Sequence, residues 1–102
     1  MDVLQTIKRL VLRGNVVYTL KAEDEMERDE LDREMVAEAI INAPSITKRL
    51  RSSNPNTGER EMLYVILGLT FDGVAIYTKG KIAKAEDRET FYVLVSSKKS
   101  IG

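Results

Sequence analysis

The 102-residue chain contains no cysteine and no histidine. Without thiols there is no disulfide framework, no thiolate nucleophile and no cysteine metal site. Without imidazole, Ser-His-Asp and Cys-His triads, histidine bases and histidine zinc sites are excluded. No apolar run approaches the ~20 residues of a membrane span. The opening MDVLQTIKRLVLRGN interrupts its apolar residues with charge and lacks a small-residue cleavage site, unlike a secretory signal. A cytoplasmic chain is therefore expected. No glycine-rich phosphate loop occurs: Gly68, Gly73 and Gly80 stand alone, as strand or turn glycines do. No carboxylate spacing matches a calcium loop, so no metal or cofactor is expected. Lys plus Arg (16) balances Asp plus Glu (16). That excludes the gross positive field of a protein that coats nucleic acid, but not a local basic patch.

What is present suits one globular domain over residues 1–102, with 43% hydrophobic and 31% charged residues. Val3, Leu4, Ile7, Leu10 and Val11 recur at helical spacing, which predicts a helix over 2–13 stopped by Gly14-Asn15. VVYTL (16–20) reads as a short strand or a lead-in. Residues 20–30 form a polar helix with Ala22 and Met26 inward and Thr19 as its N-cap. Asp32 caps a second helix over 33–43, with Met35, Val36, Ala39, Ile40 and Ala43 as its apolar stripe and Pro44 ending it.

The second half reads as strands. Residues 45–51 alternate, with Ile46 and Leu50 on one face and Thr47, Arg49 and Arg51 on the other. SSNPNTG (52–58) is a turn cluster, and MLYVILGL (62–69) suits a central strand covered on both faces. Val65 and Leu67 are expected to share a core with Ile7, Val36 and Ile40. Asp72-Gly73 suggests a two-residue hairpin turn. Strands follow over 74–84, bent at Gly80, and over 91–97, joined by a polar connection at 85–90. Helices first and strands after predict an α+β fold: N-terminal helices packed on one face of an antiparallel β-sheet.

The neutral total hides a division. Residues 21–38 carry nine acidic groups against three basic ones, a local charge of −6, and the remainder carries +6. The acidic helices suit a solvated face, a mask over the basic sheet, or a surface for a basic partner. In the sheet region Arg49 and Arg51 share one strand face, Tyr77 and Lys79 another, with Lys81 continuing it and Lys98 and Lys99 at the end. Cations interleaved with Tyr64, Tyr77 and Tyr92 supply what RNA binding needs, charge for phosphates and flat faces for unstacked bases. A half-solvated sheet with no ligand shows the same residue types.

The stretch YTLKAEDEMERDELDREMVAEAI (18–40) resembles a small bacterial domain family of unknown function close to the BrnT and RelE-like toxins. Members of that family read Tyr/Phe-Thr-x-His-Ala-x-x-Arg-Met-x-x-Arg-Gly-Ile before a helix and strands. Here Tyr18, Thr19, Ala22 and Met26 match. Lys21 stands in place of the family His, Glu25 and Asp29 in place of the two Arg, Glu30 in place of Gly, and Leu31 in place of Ile. The resemblance implies a RelE-type sheet and the toxin of a type II toxin–antitoxin pair. It also implies metal-independent endoribonuclease activity and a cognate antitoxin partner, in some relatives a CxxC zinc-knuckle protein.

Such cleavage needs a base for the 2′-hydroxyl, cations for the phosphorane and an acid for the leaving oxygen. Without His, the base is a carboxylate, a Lys or a Tyr. The catalytic candidates are Lys21 with Glu25 one turn on, Lys79 and Lys81 as clamps or acid, and Tyr92 as donor. The RNA-binding candidates are Arg49, Arg51, Tyr77 and Lys98. The alternative is a non-catalytic interaction module using the acidic helices and sheet edges. Convergence of the cations on one concave face favours the nuclease. Dispersal beside an exposed apolar patch favours the module. Ser96 and Ser97 have no visible activating base and read as polar strand-end residues.

Overall fold

A computed structural model describes residues 2–53, 55–58, 60–86 and 88–101. Asn54 in the turn cluster and Asp87 in the polar connection lie outside the described residues. The elements are α1 (Val3–Leu12), β1 (Val16–Tyr18), α2 (Leu20–Arg28), α3 (Arg33–Asn42), β2 (Lys48–Ser53), β3 (Arg60–Leu69), β4 (Ala75–Ala85) and β5 (Arg88–Lys99). The fold is α+β, with the helices on one face of a five-stranded sheet of order β1-β5-β4-β3-β2. The β2–β5 meander is antiparallel, as expected, but β1 joins β5 in parallel, so the sheet is mixed.

The helices begin where their caps say. The Thr19 hydroxyl accepts from the Ala22 N–H at 3.2 Å, and the Asp32 carboxylate accepts from the Met35 N–H at 2.8 Å. Asp32→Ala should cost about 1 kcal/mol, the usual worth of such a cap. That would lower the melting temperature by roughly 4–8 °C in a domain of this size, measurable by circular dichroism. Ile7, Val36 and Ile40 meet Ile66, Ile76, Leu94 and the ring of Tyr92 in one core.

The phase of the apolar run in β3 differs from expectation. Ile66 and Gly68 face the helices, whereas Leu67 points to the other side, where it is 40% exposed. Continuous apolar character carries no period and cannot say which parity faces inward. Gly68 settles it: a Cβ there would run into the Ala39 carbonyl, so α3 lies directly on β3 at this point. Val65 is buried on the side away from the helices, in a row with Lys48 and Lys79, whose aliphatic stems can cover it.

The β3–β4 hairpin departs from the expected two-residue turn. The β3–β4 hairpin closes through Thr70 N–H to Val74 O, leaving a three-residue loop, Phe71-Asp72-Gly73, with Gly73 at φ 85°. That is the three-residue hairpin with glycine in the left-handed position, not the two-residue form. At Gly80 the ladder of β4 with β5 shifts register. The irregularity lies in β5, where Lys79 pairs with Ser96 and Gly80 with Leu94, leaving Val95 as the extra residue of a bulge. Gly80 also makes room for Tyr92, whose ring would lie 2.6 Å from an added Cβ.

Candidate nucleic-acid interface

Residues opposite one another in a ladder point to the same side, so the register sorts the cations. Arg49 pairs with Tyr64 and Arg51 with Met62, on the helix side of the sheet. Tyr77 pairs with Leu67 and Lys98, and Lys79 with Val65, on the side that no helix covers. Pairing of β3 with β4 is continuous through Gly80, so Lys81 stays on the same side as Lys79. The RNA-binding candidates are thus split between two faces. The acidic helices lie opposite the lysines of the open face, so they do not mask them.

On the helix side, the meander runs past the start of α1 and leaves a cleft of about 640 Å³. Val3 of α1 flanks it, Met62, Tyr64, Ile82 and Ala83 line its apolar part, and Arg60, Lys84, Glu89 and the Lys81–Glu61 ion pair, which reaches its rim from the other face, line its polar part. The Arg49 guanidinium stands 5.9 Å from the centre of the Tyr64 ring, within reach of a cation–π attraction. A smaller hollow of about 190 Å³ adjoins it, lined by Arg51, Arg60, Glu61 and Met62. Arg49, Arg51, Arg60 and Lys84 are all exposed, so their charge is available to a ligand.

The open face has different chemistry. The Lys98 ammonium lies 5.3 Å from the centre of the Tyr77 ring. Lys81 is engaged by Glu61, its nitrogen 3.0 and 3.1 Å from the two carboxylate oxygens. Around them are apolar side chains: Leu67, Phe91 (41% exposed) and Val17 (45%).

The remaining candidates lie apart from both faces. Lys21 is exposed on α2, while Glu25, one turn on, turns inward and is 8% exposed. The Glu25 carboxylate accepts from the Ser96 hydroxyl at 2.7 Å and the Ser97 N–H at 3.2 Å. Asp29, a turn further, accepts from the Lys99 N–H at 2.9 Å, and the Thr19 hydroxyl donates to Val95 O at 3.3 Å. β1 reaches only as far as Leu94 along β5. Beyond it, these α2 side chains satisfy the edge that a longer β1 would have paired. Glu25 and Asp29 therefore hold α2 to the sheet. Tyr92 is fully buried, and loss of solvent pushes its phenol well above the ordinary tyrosine range.

Arg60, Lys84 and Glu89 are site residues that the pattern within each strand does not pick out. Arg60 shares the parity of Met62 and Tyr64, so the register of the β2–β3 hairpin would have found it. Among the described residues, no group of three or more potential metal-ligating side chains occurs, and no helix is long and apolar enough to cross a membrane. No protein-family model, curated protein or solved structure matches the chain.

Proposed function

We propose that this chain is a cytoplasmic, toxin-like RNA-binding protein that grips single-stranded RNA in the cleft beside α1 and cleaves it without a metal, under the control of a cognate antitoxin. The observation that supports this reading is the gathering of Arg49, Arg51, Arg60 and Lys84 around one concave, partly apolar surface that also holds Tyr64. Guanidinium groups suit phosphate oxygens, and an aromatic face suits an unstacked base. The toxin and antitoxin parts of the proposal come from the resemblance of residues 18–40.

The cleft also offers the reaction its parts. Glu89 pairs across the ladder with Lys84. In the proposed step the Glu89 carboxylate takes the 2′-hydroxyl proton, and the 2′-oxygen attacks phosphorus. The bond to the 5′-oxygen breaks, and Lys84 returns a proton to that leaving oxygen. The arginines stabilise the charge on the phosphorane.

The binding part is tested with a labelled single-stranded oligoribonucleotide titrated at several salt concentrations. Affinity should fall as salt rises, because each phosphate contact releases counterions. Arg49→Ala/Arg51→Ala should weaken binding and flatten the salt slope by about 1–2, at ~0.7 per contact. Lys79→Ala/Lys98→Ala, on the other face, should leave the slope unchanged. An unchanged slope in the arginine variant removes the cleft from the site.

A further inference from the structure

The side of the sheet away from the helices is apolar and basic at once. Val17 of β1 shares a row with Val93 and Lys81, and Phe91 opposes Ala83. Further along, Leu67, Tyr77 and Lys98 form one row, and Lys48, Val65 and Lys79 another. Among the described residues of this face the acidic side chain is Glu61, which Lys81 already engages. Lys48, Lys79 and Lys98 thus leave a net positive charge over an exposed aliphatic surface. A hollow of about 630 Å³ at its margin adds Arg28 and Lys99 beside Lys98, with Asp29, whose carboxylate the Arg28 guanidinium and the Lys99 N–H already engage.

We propose that this face docks an acidic amphipathic helix of a partner protein, laid across the strands from β1 to β2. Charge and shape choose this occupant. A second copy packed face to face would set Lys79 and Lys98 against like charges, which is costly. The chain's own acidic helix α2 has nine residues, whereas five strands span about 19 Å, or roughly 13 residues of helix. RNA would meet Lys98 and Tyr77 but would leave Val17 and Leu67 wetted, since aliphatic carbons offer no stacking surface. An amphipathic helix covers those carbons with its own apolar side and brings carboxylates to the lysines around them. The inference rests on the open face alone and stands or falls separately from RNA binding in the cleft.

The probe is a labelled 16-residue peptide with Leu at helical spacing and Glu at the remaining positions. The controls are the same peptide with Lys for Glu, and oligouridylate. The Glu peptide should bind the full chain with a dissociation constant well below ~1 mM, and the Lys peptide should not. Lys79→Glu/Lys98→Glu should weaken the Glu peptide at least about tenfold, and Leu67→Ser should weaken it as well, while Arg49→Ala/Arg51→Ala leaves it unchanged. Both altered faces are on the surface, and a thermal melt of each variant verifies its fold. Equal binding of the two peptides would mean generalised apolar adhesion and overturn the proposal, as would no binding up to ~1 mM. Displacement of the peptide by oligouridylate through the same lysines would assign the face to RNA. Concentration-dependent self-association lost in the Lys79/Lys98 variant would assign it to a second copy. Either result overturns the proposal.

Discussion

Glu25→Ala should remove about 3–6 kcal/mol of stability, because hydrogen bonds to a charged partner contribute about 1.5–3 kcal/mol each and two donors lose theirs together. The Ser96 hydroxyl and Ser97 N–H that it leaves behind are buried under α2, where water does not readily replace the carboxylate. Against the ~5–15 kcal/mol that holds a domain of this size together, the loss is large. Urea denaturation followed by circular dichroism measures it, with a lower midpoint and an unchanged slope as the expected result. Lys21→Ala, on the exposed side of the same helix, should stay within about 0.5 kcal/mol of the parent. At temperatures where Glu25→Ala remains folded, its RNA affinity should equal the parent's. A variant that keeps full stability and loses RNA cleavage would return Glu25 to the chemistry, and the edge-closing role argued from its bonds would fail.

The position of Glu25 illustrates what local sequence conveys and what it omits. Its spacing from Ala22 and Met26 shows a helix with a thin apolar stripe, and Thr19 marks the start. Those features depend on residues within one or two turns, so they were legible. That Glu25 meets Ser96 depends on a contact 71 residues away. The same division runs through the sheet. That Arg49 and Arg51 share a face, and Tyr77 and Lys79 another, follows from a period of two within each strand. Whether those two faces are the same one depends on the register between strands, which the hairpin loop and turn set and composition does not. The α+β class and the core roles of Ile7, Val36 and Ile40 were legible from amphipathic periods. The exposure of Leu67 was not, because an unbroken apolar run hides its phase until Gly68 is seen against Ala39. The cleft is hidden for the same reason: Arg60, Lys84 and Glu89 come from three strands, and only pairing brings them together.

Expression of the chain alone in a bacterial host should arrest growth and shorten cellular RNA, and co-expression with a cognate antitoxin should restore growth. The purified protein should cleave single-stranded RNA to products ending in a cyclic phosphate, as attack by the 2′-oxygen requires. Glu89→Gln should slow cleavage by about 10²–10⁴, the usual contribution of a positioned general base, with little change in RNA affinity. Arg49→Ala/Arg51→Ala should reduce both affinity and rate, since charge stabilisation of the phosphorane is commonly the largest catalytic term, about 10²–10³ per group. Tyr92→Phe should leave the rate unaltered, because its hydroxyl is sealed beneath Gly80 and faces no solvent. Chelator should leave the rate unchanged, because in the proposed step Arg49, Arg51 and Lys84 supply the positive charge. These residues separate the two remaining readings. Unchecked growth at high soluble expression with intact RNA would remove the nuclease, and the exposed apolar and basic face of the sheet would then carry the function as an interaction module. Arrest that persists in Glu89→Gln but disappears in Lys79→Ala/Lys98→Ala would keep the nuclease and move its chemistry to that open face.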